Sequence, residues 1–150
     1  MIDEKDVRIL DALRDNSKMT TQQISRKLMI PVTTVHNRIK KMERMGVITG
    51  YTARVDYKKL GKDILAYVLV KVYYKTPDGK KIDQEMLAKE ISKNPTVEEV
   101  HIMAGETDII AKIRVKSIEE LNGVIIRELR NLEGVDKTHT MVVLSSIYQQ

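Results

Sequence analysis

Apolar and polar positions follow two different rhythms along the chain. Over the first sixty residues the period is helical. Ile9, Leu10 and Leu13 form one apolar stripe in the stretch from Asp6 to Leu13, and Asn16-Ser17-Lys18 breaks it. Thr20-Thr21-Gln22-Gln23 has the pattern of a capping box, with Thr20 as N-cap, Gln23 three residues on, and Ile24 and Leu28 as an i,i+4 pair behind it. This second helix ends near Met29, because Pro31 lacks an N–H and biases Ile30 toward extended backbone. The same proline suits the start of the next helix. A third helix runs from Val32 to Met45, closed by Gly46 at the position of a left-handed cap. A short helix, a turn of about three residues and a further helix make a helix-turn-helix arrangement.

After Gly46 the rhythm changes to that of strands. Val47 to Val55 is rich in β-formers and reads as a linking strand that ends at Leu60-Gly61. Ile64 to Tyr74 is too β-branched and aromatic for a helix, and Pro77-Asp78-Gly79 signals a turn. Leu87, Ala88 and Ile91 mark a helix from Asp83 to Asn94. Strands then follow at Val97 to Ala104 and Thr107 to Val115, separated by Gly105. Ser117-Ile118-Glu119-Glu120 is a second capping box. It opens a helix with Leu121, Ile125 and Leu129 on one side, and Gly134 ends it before a last strand from Val135 to Ile147. The expected fold class is α+β. A helix-turn-helix, winged-helix-like domain (residues 1–50) is joined by a linking strand (51–61) to a ferredoxin-like βαββαβ sandwich (62–150).

The first strand is apolar on both sides. Ala66, Val68, Val70 and Val72 fill one face, and Leu65, Tyr67, Leu69 and Tyr73 the other, interrupted only by Lys71. A sheet covered by helices on one side should be polar on its second side. The open face is therefore expected to pack on a second copy of the chain, giving a homodimer.

Charge adds a partner to this picture. The chain carries 26 Lys+Arg and 21 Asp+Glu, a net +5. Residues 1–60 hold 13 basic and 7 acidic residues, net +6, which leaves 13 and 14, net −1, for residues 61–150. The basic excess thus lies wholly in the helical part, an electrostatic footprint for a polyanion. With Val35 set at zero and 100° per residue, Val32, Ile39 and Met42 fall between about 340° and 60°. Thr33, Asn37, Lys40 and Arg44 lie on the opposite side, between about 140° and 200°, with Thr34 and Lys41 near 250°. His36 and Arg38 flank this outer face at about 100° and 300°, where phosphate contact competes with packing against neighbouring helices. Hydrogen-bonding side chains lead and cations trail, as a recognition helix in a major groove requires. Thr33, Thr34, His36, Asn37, Arg38, Lys40, Lys41 and Arg44 are the candidate DNA-binding residues. A dimer would place two such helices one turn apart, about 34 Å, on a pseudo-palindromic duplex. The alternative is an architectural protein coating DNA without strong sequence preference, which would need only the cations.

Other chemistry is poorly represented. Cysteine, Phe and Trp are absent, so thiolate nucleophiles, thiolate metal sites and a rich base-stacking platform are excluded. His36, His101 and His139 have no metal-ligand spacing. Ser145-Ser146 lacks a nucleophile-elbow context, and Gly79-Lys80-Lys81 lacks a glycine-rich phosphate loop. Glu98-Glu99 and Glu119-Glu120 read as solvated carboxylates pointing apart or opening a helix. No enzyme activity, metal or cofactor is expected. The opening Met1-Ile2-Asp3-Glu4-Lys5-Asp6 is not a targeting segment, and no run reaches the roughly 18–20 apolar residues of a membrane span. A cytoplasmic protein with no membrane partner is the expectation.

The stretch Ile24-Ser25 through Ile30-Pro31-Val32-Thr33-Thr34-Val35-His36-Asn37-Arg38-Ile39, continuing to Gly46-Val47-Ile48-Thr49-Gly50-Tyr51-Thr52-Ala53, resembles the leucine-responsive regulatory protein and asparagine-synthase regulator family (Lrp/AsnC). The resemblance extends over essentially the whole chain. It implies a transcription regulator that assembles as dimers, often tetramers or octamers, and in many members binds amino acids in clefts between dimers, so that an amino acid or other small metabolite is the expected effector. The family's Gly-x-x-Asp effector motif is matched by Gly105 and Asp108, with Met103, Ala104, Thr138 and Thr140 at flanking pocket positions. Thr107 stands where the family usually has an aromatic residue. Read on its own, Gly105 to Asp108 is also what a hairpin turn with a self-capping Asp looks like.

Overall fold

A computed structural model describes residues 1–76 and 78–147. The turn signal at Pro77 and the last three residues lie outside the described residues. The chain divides into two units, Met1–Val55 and Asp56–Gln150.

The first unit holds three helices, α1 (Glu4–Asp15), α2 (Thr21–Leu28) and α3 (Val32–Arg44). Its helix starts follow local capping chemistry. Asp3 caps α1 in a reciprocal box with Asp6, so the helix begins two residues before the apolar stripe suggested. At α2, the Gln23 amide donates to Thr20 Oγ1 (3.2 Å) and the Thr20 amide to Gln23 Oε1 (2.8 Å), the reciprocal box expected there. Gly46, at φ +68°, ends α3 as a left-handed cap. The Val47 amide donates to the Met42 carbonyl (2.9 Å) and the Gly46 amide to that of Glu43 (3.0 Å). Ile9, Ala12, Leu13, Ile24, Ile30, Val35 and Met42 make the core of this unit. Val32, at the margin of the expected apolar face, is 40% exposed instead. The expected linking strand does not form a ladder among the described residues. Residues 49–56 carry no regular secondary structure, and a 3-10 turn occupies Tyr57–Leu60. A strand needs a partner edge, and this unit offers none.

The second unit is the expected βαββαβ sheet with two helical segments. Strands β1 (Ile64–Val72), β2 (Val97–Ile102), β3 (Ile109–Val115) and β4 (Val135–Val142) stand in the order β2-β3-β1-β4, every neighbouring pair antiparallel. The last strand is five residues shorter than its apolar pattern, and Val143–Ile147 follows outside any strand. One face of the sheet, built from Ala66, Val68, Val70, Val72, Ile109, Ala111, Ile113 and Val115, packs on Leu87 and Ile91 of α4 (Gln84–Ser92). It also packs on Leu121 of α5 (Ile118–Gly123) and on Val124, Ile125 and Leu129, where that helix widens to a π turn and tightens to a 3-10 turn. Ser117 caps α5 by accepting from the Glu120 amide (3.1 Å). The Glu120 carboxylate turns to the Lys116 amide (2.7 Å), so that capping box is half made.

Gly134, buried at φ +103°, joins the last helical turn to β4, and a Cβ there would stand 2.7 Å from Ile82 Cγ2. Gly134→Ala is expected to destabilise the fold by about 1–3 kcal/mol, combining backbone strain with a clash. Gly61→Ala, at φ +65° with open space around it, should cost about 1–2 kcal/mol from backbone strain alone. Urea denaturation of both variants measures the difference, and equal losses would refute the role of the Ile82 contact.

Candidate DNA-reading face and effector site

The buried residues Val35 and Met42 fix the rotation of α3, because they are its contribution to the core. With that side fixed, Thr33, His36, Asn37, Lys40 and Arg44 are exposed, while Thr34, Arg38 and Lys41 are half-buried. Lys40 Nζ bonds Glu43 Oε2 at 3.0 Å, and the Tyr51 hydroxyl donates to the other oxygen of Glu43 at 2.9 Å. Hydrogen bonds from Lys40 and then Tyr51 hold the Glu43 carboxyl below its usual range. Met29 forms the tip of the turn between α2 and α3. It adopts φ +54°, the one left-handed non-glycine residue described, and its side chain is 92% exposed.

Two of the eight candidate DNA contacts are turned inward. Arg38 Nη1 donates to Asp3 Oδ1 (2.7 Å), Asp3 Oδ2 (2.6 Å) and Asp6 Oδ1 (2.7 Å). Lys41 Nζ donates to the Met1 carbonyl at 2.9 Å and lies 3.5 Å from Asp6 Oδ2. Asp6 is fully buried, and its second oxygen also accepts the Asp3 amide at 3.1 Å. The Arg38 hydrogen bond, reinforced by the Asp6 amide, lowers the Asp3 pKa from the ordinary 3.8 to about 2. At Asp6 burial works to raise the pKa, but the Asp3 amide and Arg38 outweigh it and the net shift is downward. The spacing of Asp3 and Asp6 signals their reciprocal cap, but nothing in the sequence signals the contacts of Arg38 and Lys41 with them.

The candidate effector residues do not gather in one place within a chain. Met103, Ala104, Gly105 and Asp108 lie at the β2–β3 turn, with Gly105 at φ +130°. Thr138 and Thr140 lie on β4, opposite Val70 and Val68, on the far side of β1. Two strand spacings, roughly 10 Å, separate β3 from β4. Asp108 is only 6% exposed, and both its oxygens are engaged: Oδ2 accepts the Val72 amide (2.9 Å) and faces Lys71 Nζ (3.3 Å), and Oδ1 accepts from Gln84 Nε2 (3.3 Å). Arg130 Nε donates to Thr138 Oγ1 at 2.9 Å. A cleft of about 820 Å³ in the first unit, between α1 and the segment after α3, contains none of these residues. Leu10, Arg14, Lys18, Ile48, Tyr51 and Arg54 are among its lining.

The open face of the sheet carries Leu65, Tyr67 and Leu69 beside Ile110 and Met141, an apolar centre. Toward β2 it becomes ionic. The adjacent carboxylates Glu98 and Glu99 are not the divergent, solvated groups expected. A bulge between Val97 and Glu99 brings both within reach of Lys112 (3.5 and 2.7 Å), and Arg114 pairs with Glu98 while its guanidinium lies 3.8 Å over the Tyr57 ring. Among the described residues no three metal-ligating side chains cluster, and no helix is long and apolar enough to cross a membrane.

Residues 65–150 match the model of the Lrp/AsnC ligand binding domain, and residues 2–49 that of a winged helix-turn-helix DNA-binding domain. An HTH-type transcriptional regulator of Pyrococcus furiosus is 39% identical over 150 residues, covering 100% of this chain and 97% of that protein. Among solved structures, AsnC of E. coli matches with a TM-score of 0.84 at 25% identity, covering 100% of this chain and 97% of that one. A transcriptional regulator of Neisseria meningitidis, solved as a complex with L-Met, matches with a TM-score of 0.88 at 21% identity over 99% of this chain and 94% of that one, a likeness of fold.

The ion cluster at α1 predicts an acid dependence. Asp3 and Asp6 titrate lower folded than unfolded, so their stabilisation is complete above the unfolded pKa near 3.8 and is lost as pH falls through the folded value, about 2 for Asp3. The thermal midpoint of the first unit, followed by circular dichroism, should fall between pH 4 and 2. Asp3→Asn should flatten that fall, and an unchanged slope in the variant would refute the assignment.

Proposed function

The chain belongs to the Lrp/AsnC family of transcriptional regulators, with a helix-turn-helix DNA-binding domain and a ligand-binding domain, and from that premise we propose that it binds a pseudo-palindromic duplex sequence-specifically as a homodimer and answers to an amino-acid effector. Regulation, not catalysis, is the activity of this family. The observation that carries sequence-specific reading is the outward face of α3. Thr33 and Asn37, hydrogen-bonding types, are exposed together on its leading half, with Lys40 and Arg44 behind them. Asn reads adenine edges bidentately in the major groove, whereas cations on phosphates position the protein without reading sequence. Dimerisation through the open sheet face is supported by its apolar centre of Tyr67, Leu69, Ile110 and Met141, which stay partly exposed and belong to the face opposite α4 and α5, whereas Leu65 beside them is already buried.

Support for an effector comes from the matched ligand-binding domain and from the L-Met complex of the Neisseria relative. The β2–β3 turn of one protomer and the β4 threonines of another would supply the site, since one chain holds them apart. With Asp108 already engaged, we expect the backbone of Met103 to Gly105 to contribute more than the Asp108 carboxylate.

Selection of bound fragments from random DNA should yield a two-fold symmetric site with half-sites about one helical turn apart. Asn37→Ala should then cost about 1–3 kcal/mol at the base it reads and relax preference there. Arg44→Ala should weaken all sequences alike and lower the log–log salt slope by roughly one for each helix bound. Equal effects of both changes on every sequence would favour a DNA-coating protein instead. Calorimetry against the twenty amino acids at millimolar concentration should give binding heat for at least one, and twenty flat traces would overturn the effector reading.

A further inference from the structure

The cluster joining α1 to α3 lies beside the DNA-reading face and uses two cations that face could have used. Arg38 and Lys41 are three residues apart on α3 and therefore share one flank of the helix. Their acceptors, Asp3 and Asp6, are the N-cap and third residue of α1. Arg38 meets three carboxylate oxygens at 2.6–2.7 Å, and its side chain is 23% exposed against 52% for Asp3 and none for Asp6. A pair with one partner wholly buried is not an incidental surface ion pair, since losing either side leaves a charge without compensation. To reach a phosphate, Arg38 would have to abandon three short hydrogen bonds, and Lys41 would have to leave Met1 and Asp6.

We propose that Asp3 and Asp6 are positioning residues for DNA recognition: they hold Arg38 and Lys41 on the flank of α3, keep both cations off the phosphate backbone, and thereby raise the ratio of specific to non-specific binding. The proposal rests on the reading of α3 as the DNA-contacting helix. Each released cation that found a phosphate would add about 0.9 to the log–log salt slope on any sequence. Non-specific affinity would rise, while the hydrogen bonds from Thr33 and Asn37 to base edges would gain nothing. The carboxylates also fix where α3 lies along α1, which the apolar contacts of Ile9, Val35 and Met42 leave free to slide more than a multiply hydrogen-bonded ion pair does.

The test measures salt-dependent binding to the selected site and to random duplex for the full chain and two variants, with folding followed by circular dichroism. Asp3→Asn with Asp6→Asn frees both cations. The slope on random duplex should steepen by about one to two for each helix bound, and the ratio of specific to non-specific affinity should fall about tenfold. Asp6→Asn with Arg38→Gln leaves no orphaned buried charge and adds no free arginine. It frees Lys41 alone, so the slope on random duplex should steepen by about 0.9 for each helix bound and the ratio should fall, and it decides the matter if the first variant does not fold. A slope lowered by about one in this second variant would mean that Arg38 already sits on a phosphate, and would overturn the proposal. So would an unchanged ratio in both variants. A wild-type chain that binds no duplex would instead overturn the reading of α3 on which the proposal stands.

Discussion

A helix that buries one side has only its remaining arc for recognition. The 13 residues of α3 give up Val35 and Met42 to the core, in contact with a cluster that includes Ile9 and Ile24. Fully burying each such side chain is worth roughly 1.5–3 kcal/mol, more than the roughly 0–1 kcal/mol of an exposed ion pair such as Lys40 with Glu43 on the outer face. Rotation is therefore set by the core, and at 100° per residue every other position on the helix follows from it. Thr33, Asn37 and Arg44 face away from α1 and α2 for that reason alone. Arg38, on the flank, is close enough to the N-terminal end of α1 for its charge to be taken up internally.

The same constraint acts on the sheet in the second unit. Its helix-covered face holds Ala66, Val68, Val70 and Val72 with their partners on β3, and is complete within one chain. On the other face Tyr67 and Leu69 are half-buried and stand outside the cluster that α4 and α5 cover. At one side of this face the charges are neutralised locally: Lys112 and Arg114 on Glu98 and Glu99, with Tyr57 beneath the guanidinium. The apolar centre and the self-compensated margin on the β2 side would cost little to desolvate against a like surface, whereas at the β4 margin Lys137, opposite Lys71, has no carboxylate partner among the described residues.

Features encoded over a few residues were legible in the sequence. The Thr20–Gln23 capping box, the Ser117 N-cap, the Pro31 turn, the Gly46 cap, the strand alternation and the βαββαβ order all depend on neighbours within about four positions or on strict periodicity, as does the Asp3–Asp6 box that the apolar pattern alone passed over. What escaped depends on contacts distant in sequence. Arg38 meets Asp3 across 35 positions, and Asp108 bonds the Val72 amide across 36. A residue's chemistry gives no sign of which distant helix or strand will lie beside it. The bulge that swings Glu98 toward Lys112 was invisible for a related reason, since register is a property of a strand pair and not of one strand. The segment after α3 has the composition of a strand and forms none within its unit, because composition supplies propensity while a ladder needs a second edge.

Charge shows what such contacts change. Counted along the sequence, the first sixty residues carry a net +6, and α3 alone has Arg38, Lys40, Lys41 and Arg44. In the folded unit Arg38 and Lys41 are neutralised by Asp3 and Asp6, and Lys40 by Glu43. Arg44 has no carboxylate partner among the described residues; its Nε faces the Lys40 carbonyl at 3.4 Å. The field that α3 presents is thus much weaker than its composition suggests. Non-specific binding scales with the number of phosphates neutralised, whereas discrimination between sequences comes from base edges. On the reading proposed for α3, a helix that keeps its hydrogen-bonding residues outward and ties up most of its cations would give up general affinity for DNA while retaining the side chains that would distinguish one site from another. With 10⁶ or more competing sites in a genome, that ratio and not the affinity alone decides where a regulator resides.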